Sequence, residues 1–182
     1  MRKNIGAGKL ALYPTPAVVV GAMVDGKPNW LLVAHVGIVT HSKLMLSMFG
    51  KHFTNAGVRE SGVLSVNVVD EALLPKADFV GSVSGAKQDK SGVFEWHVGE
   101  NGAPVIDEAP LYMECRVEQT VEVDGFDNFI CSIDATCVEE EYLTEKDKVD
   151  YGKLKPVLFE MPGYTYLRCG ERIGRCLKLD EK

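Results

Sequence analysis

Between Met113 and Val123 apolar and polar residues alternate with period two. Met113, Cys115, Val117, Val121 and Val123 fall on one face, and Glu114, Arg116, Glu118, Thr120 and Glu122 on the other. A helix cannot separate these two sets, whereas a strand buried on one side does so by its pleat. Asp124-Gly125-Phe126-Asp127 then signals a turn, and a second strand from about Phe129 to Val138 puts Phe129, Cys131, Ile133, Ala135 and Cys137 inward. The rest of the chain has to build around this long antiparallel hairpin.

Upstream, the valine-rich run Ala17 to Val24 ends in Asp25-Gly26-Lys27-Pro28, and a second β-rich run extends from Trp30 to Thr40, which predicts another hairpin. Leu44 to Met48 and Gly62 to Val69 read as further strands. Between them a helix of about two turns is predicted, with Thr54 or Asn55 as N-cap and Gly62 just past its end. A second helix spans Leu73 to Val83, with Pro75 in its first turn and Leu74, Ala77, Phe79 and Val80 as its apolar stripe. Glu139 to Lys155 is charged enough to be a solvated loop or short exposed helix, and Tyr164 to Cys169 and Arg175 to Leu179 read as the last strands. The expected class is mainly β with a few short helices (α+β), an antiparallel barrel closed or nearly closed so that few edges are exposed, formed as a single domain over residues 1–182.

Charge narrows the range of partners. With 20 Lys and Arg against 26 Asp and Glu, net charge −6, the chain lacks the basic face that nucleic acid requires. Pro14 and Pro16 break the N-terminal segment before a signal sequence can form, and no window nears the ~18 apolar residues of a membrane helix. A cytoplasmic protein without membrane or nucleic-acid partners is expected. Five cysteines without a C-x-x-C and four histidines without H-E-x-x-H offer no zinc spacing, so no metal site is expected. Cys115, Cys131 and Cys137 sit at inward strand positions as small hydrophobes; Cys169 and Cys176 flank a Gly-rich turn across which a redox pair is conceivable but less favoured.

Three segments can carry chemistry. Gly50-Lys51-His52-Phe53-Thr54-Asn55 lies where a strand gives way to a helix, and unpaired N–H groups, a hydroxyl and a mobile cation suit a phosphate there. Taken alone, a Thr cap with a surface Lys explains the segment equally well. Asn29-Trp30 and the strand Ala34-His35-Val36-Gly37 combine small residues with a directed amide, a wall that a flat ring can approach. Ser84-Gly85 with Asp89-Lys90 can close over a ligand edge, although composition alone favours a solvated connection.

The order of these segments resembles the flavin reductase-like, flavoredoxin-type family. Pro16 to Gly21, Asn29, Ala34 to Val39, Lys51 to Thr54, Ser65-Val66-Asn67-Val68, Ser84-Gly85 with Asp89-Lys90, and Glu114-Cys115-Arg116-Val117 carry the likeness from about Pro16 to Gly174. The resemblance implies an FMN-binding split β-barrel, usually a homodimer, that passes electrons between NADH, NADPH or a protein donor and an acceptor. The alternative it leaves open is an electron carrier without substrate turnover of its own. By position, Asn29, Trp30 and Ala34 to Gly37 would line the isoalloxazine, joined by Ser47 and Met48. Lys51, His52, Phe53 and Thr54 would hold the phosphate, and Ser84, Gly85, Asp89 and Lys90 would edge the pocket. No catalytic side chain is expected, because the redox chemistry belongs to the cofactor. The chain departs from many relatives in having His41-Ser42-Lys43 where they carry Pro-Pro, and Lys51-His52 where they carry an arginine. Lys meets phosphate as a point charge rather than a planar fork.

Overall fold

A computed structural model describes residues 1–179. The strands are β1 (Thr15–Pro16), β2 (Val18–Val24), β3 (Lys27–Val33), β4 (Val36–Thr40), β5 (Lys43–Phe49), β6 (Val63–Val68), β7 (Trp96–Val98), β8 (Pro104–Ile106), β9 (Leu111–Val123), β10 (Phe126–Val138), β11 (Leu158–Glu160) and β12 (Thr165–Leu167). The helices are α1 (Phe53–Ser61), α2 (Leu74–Ser82) and the single turn α3 (Tyr151–Leu154). Seven strands form one antiparallel sheet in the order β3-β2-β6-β9-β10-β5-β4, while β1-β11-β12 and β7-β8 form two small sheets.

The run from Trp30 to Thr40, expected as one strand, is broken at Ala34 and His35, and the break determines the shape of the molecule. β3 and β4 are the two outer strands of the seven-stranded sheet, yet only two residues join them. Three Cα–Cα steps reach at most about 11 Å, so the sheet must curl until its edges nearly meet. The result is a β-barrel split along the β3–β4 seam.

β2 shows why a strand can be apolar throughout. Val18, Val20 and Ala22 face the barrel core with Leu46, Met48, Leu64 and Phe129. Ala17 and Val19 face a second core outside the barrel, where α2 brings Ala77 and Val80 against Trp30, Phe94 and Ile106. Within the α2 stripe Phe79 is the exception, 37% exposed.

The β9–β10 hairpin forms, but its alternation does not hold along its whole length. Its turn is the two-residue Asp124-Gly125, both at positive φ (51° and 78°), so Phe126 and Asp127 already belong to β10. The pairing shifts register between Ile130 and Cys131, leaving Glu118 without a partner in the ladder. Beyond that bulge β9 is not paired with β6, whose ladder ends at Arg116. There β10 stays paired with β5 from Phe126 to Ser132, so the far half of β9 is the outer edge of this ribbon, and Val121 and Val123, expected inside, are 37% and 52% exposed. Glu114, expected outside, is buried because the 99–103 turn folds over it and the Asn101 amide donates to its carboxylate at 2.8 Å.

Helix α1 begins at Phe53 with His52 as its N-cap residue, and no side chain caps it. Thr54 and Asn55, the expected caps, are instead turned inward, where Thr54 Oγ1 accepts from Asn29 Nδ2 at 2.7 Å and Asn55 Nδ2 donates to Asp127 at 2.6 Å. Gly62 ends the helix in the left-handed conformation, as expected. Arg175 to Leu179 forms no strand. All five cysteines are free thiols; Cys115 and Cys131 are buried, and burial raises both, Cys131 to about 12.

Candidate functional site

Two clefts flank the start of α1. The first, about 290 Å³, opens at the β3–β4 seam between the Leu31–His35 stretch and the Ser47–Phe49 end of β5. Its walls are apolar except for His35, Ser47 and His52, and Phe126, Phe159 and Met161 close its far side. The barrel split makes this opening, because no strand hydrogen-bonds across the seam. Phe49 and Phe126 meet edge to face at 5.4 Å and shape one rim.

The second cleft, about 360 Å³, is lined by Lys27, Asn29, Phe53, Gly85, Asp89 and Lys90, among others. Its floor is the Asn29–Thr54 hydrogen bond, with both residues buried. A methyl group at Gly85 would lie 2.1 Å from Asn29 Oδ1 and 2.7 Å from the Phe53 ring, so only glycine lets the 84–90 loop come this close. At the mouth, Lys27 and Asp89 form an ion pair of 2.9 Å, and Lys27 with the Ser91 amide holds the Asp89 carboxyl well below the usual carboxylate range.

Lys90 is the exceptional side chain. It is 2% exposed, and its Nζ donates to the Val80 and Val83 carbonyls at 3.0 and 3.1 Å, at the end of α2. Among the described residues no carboxylate pairs with it, since Asp89 is taken by Lys27. Burial pulls the ammonium down to about 8. Two of its three N–H donors are used by protein, and the side chain lines the cleft. A buried cation without an anion is costly unless a ligand supplies one. Next door, partial enclosure and the Lys90 charge lower the His52 pKa, which keeps its imidazole neutral more readily.

The sequence-derived candidates divide between these places. Ala34, His35, Ser47, Met48 and His52 line the first cleft; Asn29, Phe53, Gly85, Asp89 and Lys90 line the second. Thr54 lies beneath the second as the partner of Asn29. Lys51 and Ser84 are exposed at the edges, and neither lines a cleft. Val36 packs on the barrel core and Gly37 is half-buried beside it. Trp30 is wholly buried, edge-on to Phe94 at 5.5 Å in the outer core, and reaches neither cleft. Tyr13, Phe126, Phe159 and Met161 were not anticipated. They come from the N-terminal segment, the hairpin and the β11–β12 region, and no local pattern ties them to β3.

The base of the site is held firmly. Asp127 on β10 accepts from Asn55 and Arg59, Arg59 also reaches the Gly50 carbonyl at 3.3 Å, and Gly50 N donates to Gly125 O at 2.8 Å. These bonds tie the β5–α1 corner to the hairpin turn. What results is an open-seamed β-barrel with an apolar cleft and a lysine-lined cleft that meet the chain at the neighbouring residues His52 and Phe53, an arrangement suited to a ligand with an apolar ring system and an anionic end.

The chain belongs to the flavin reductase like domain family, whose profile matches residues 10–166. It is similar to a flavoredoxin of Methanosarcina acetivorans, with TM-score 0.94 and 35% identity over 100% of this chain and 98% of that one. It is also similar to the flavoredoxin of Desulfovibrio vulgaris (Miyazaki F), with TM-score 0.90 and 28% identity over the whole of both chains. A 74-residue stretch is 32% identical to the FMN reductase (NADH) RutF of Pseudomonas syringae pv. syringae and covers 41% of each chain. The chain spans about half the length of the curated relatives it matches, 56% in the case of an Aeropyrum pernix protein. Among the described residues no helix is long and apolar enough to cross a membrane, and no group of three potential metal ligands occurs.

Proposed function

We propose that this protein binds FMN, with the isoalloxazine in the apolar seam cleft and the phosphate in the cleft of Lys90, and acts as an oxidoreductase that draws electrons from NADH or NADPH. The observation that carries the reading is Lys90, a buried ammonium on a residue that lines the pocket, with two of its three N–H groups bonded to protein and no carboxylate partner among the described residues. A phosphate supplies the missing negative charge. The uncapped first turn of α1 adds free backbone N–H groups on the same side, and Lys51 adds outer positive charge. Names of relatives agree, since FMN reductase and flavoredoxin stand among them.

Bound FMN supplies the redox chemistry, and the chain's residues bind, orient and shield it. Ala34, Met48 and the Phe49–Phe126 pair offer flat apolar contact that excludes water from one ring face. Asn29 and Thr54 fix the floor beneath the phosphate, and Gly85 lets the loop close on it. No Gly-x-Gly-x-x-Gly stretch is present in the sequence, so a nicotinamide donor would have to dock transiently over the flavin. The exposed Ile38 (91%) and Val39 (45%) on β4, with Val121 and Val123 on the ribbon, support a homodimer that covers them.

Titrating the FMN-free protein with FMN while following flavin fluorescence tests the reading; quenching at one FMN per chain is expected, and unchanged fluorescence overturns it. The 35% identity to a flavoredoxin favours a second reading, an electron carrier. Anaerobic mixing of the FMN-loaded protein with NADH and NADPH separates the two: bleaching of the visible flavin band supports the reductase, and bleaching only by a reduced protein donor supports the carrier.

A further inference from the structure

The first cleft contains an arrangement that cofactor retention alone does not require. His35 lies at the two-residue crossing between β3 and β4, and its backbone carbonyl is fixed by Ser47 N at 2.9 Å. Its Nε2 lies 3.0 Å from Tyr13 Oη, and the Tyr13 hydroxyl also reaches Met161 Sδ at 3.6 Å. On the other side the ring sits against Phe126, with centroids 6.3 Å apart. The imidazole is thus held between Tyr13 of the N-terminal segment and Phe126 of the hairpin, and Met161 in the loop after β11 meets the Tyr13 hydroxyl. With Nε2 engaged by Tyr13, Nδ1 has no hydrogen-bond partner among the described residues, and His35 lines the cleft.

Few other ionisable side chains lie near this ring, and most already have partners. Tyr13 is its only side-chain hydrogen-bond partner among the described residues. His52, across the cleft, is biased toward neutrality by burial and by Lys90. Asp127, beneath the corner, is occupied by Asn55 and Arg59, and Glu160 on β11 by Thr165 and Gly163. His35 is therefore the group in the apolar cleft best able to answer a new negative charge.

We infer that His35, positioned by Tyr13, is the proton-binding residue of the cleft, taking a proton from solvent when negative charge enters the ring site. This rests on the FMN reading above. The balance is simple: a hydride from a reduced nicotinamide brings two electrons and one proton, leaving one net negative charge, and His35 binding one proton from water offsets it. Nothing else is consumed. The imidazolium then faces the charge from a low-dielectric wall, where such attraction is strong.

The test begins with FMN binding, followed by fluorescence for the native chain, His35→Gln and Tyr13→Phe. If none binds FMN, the cofactor reading falls and this one with it. If they bind, the His35 ring is titrated by NMR in the oxidised and the photoreduced FMN-loaded protein. The midpoint is expected to rise on reduction by at least about one pH unit, tenfold in proton affinity, and an unchanged midpoint with FMN bound overturns the proposal. Proton uptake on reduction, read with a pH indicator between the two midpoints, should exceed that of His35→Gln by about half a proton per FMN for a one-unit rise, and by more for a larger one. Equal uptake by the two proteins also overturns it. Tyr13→Phe should keep the uptake but shift its pH profile, as expected for a positioning residue; a profile identical to the native one removes Tyr13 from the proposal.

Discussion

The two clefts beside α1 are built from opposite materials. The seam cleft arises because a sheet fails to close, and hydrocarbon and aromatic walls line it with three polar side chains. The Lys90 cleft arises because a loop closes tightly at Gly85, and it holds a buried ammonium, a buried amide and an ion pair at its mouth. The first rewards area and shape, worth about 25 cal/mol per Å² of apolar surface covered. The second rewards one correctly placed charge. A ligand that spans both gains orientation from the difference, because its ends cannot exchange places.

The largest expected effect comes from removing the charge. Lys90→Met should lower FMN affinity by about 2–3 kcal/mol, roughly 30- to 150-fold, in a fluorescence titration. The melting temperature of the FMN-free protein should change little, because removing an uncompensated buried cation offsets the loss of its bonds to the Val80 and Val83 carbonyls. A loss of stability without a loss of affinity would make Lys90 a cap of α2 and nothing more.

Gly85→Ala attacks the same cleft through shape. The new methyl must displace Asn29 or Phe53, so a tenfold loss of FMN affinity, about 1.4 kcal/mol, is expected together with a lower melting temperature. Ala34 is the control in the other cleft: Ala34→Leu should weaken FMN and riboflavin alike, while the Gly85 change should weaken FMN more than riboflavin.

Titration of Lys90 gives a pH signature of similar or smaller size. Its folded pKa, about 8, lies below the ordinary 10.5 of lysine. Between these values the unfolded chain binds more protons than the folded one, so the stability of the FMN-free protein should rise with pH from about 8 to about 10.5. FMN affinity should move oppositely, falling by up to tenfold per pH unit above about 8 as the ammonium is lost. The fall should be absent in Lys90→Met; its persistence there would assign it elsewhere.

The smallest effect is reserved for Lys51. Exposed and outside both clefts, it contributes long-range attraction that salt screens. Lys51→Ala should weaken FMN by about twofold at low salt, within ~0.5 kcal/mol, and by less at high salt. A larger loss, unaffected by salt, would show a direct contact with the phosphate.

Much of the barrel was legible because period-two alternation and turn residues are local signals. The β2–β3 hairpin, β5, β6, both longer helices and the Gly62 stop all follow from neighbours in sequence. The misreadings share a cause. Thr54 and Asn55 have the chemistry of caps, but partners 25 and 72 residues away, Asn29 and Asp127, hold their side chains. Val121 and Val123 alternate correctly, yet the bulge and the end of β6 leave them nothing to pack against. Trp30 sits beside Asn29 in sequence and faces the outer core because adjacent strand residues point to opposite sides.

By itself, then, the sequence determined the strand-rich antiparallel class, the family likeness and most of the segments that line the two clefts. These depend on side-chain periodicity and on residue types at short spacing. Only the tertiary structure decided that the long apolar run breaks at Ala34 and His35, that the barrel stays split there, and that a buried lysine rather than the exposed one lines the polar cleft. Those outcomes depend on which distant segments compete for the same buried space and hydrogen bonds, and no local pattern records the result of that competition.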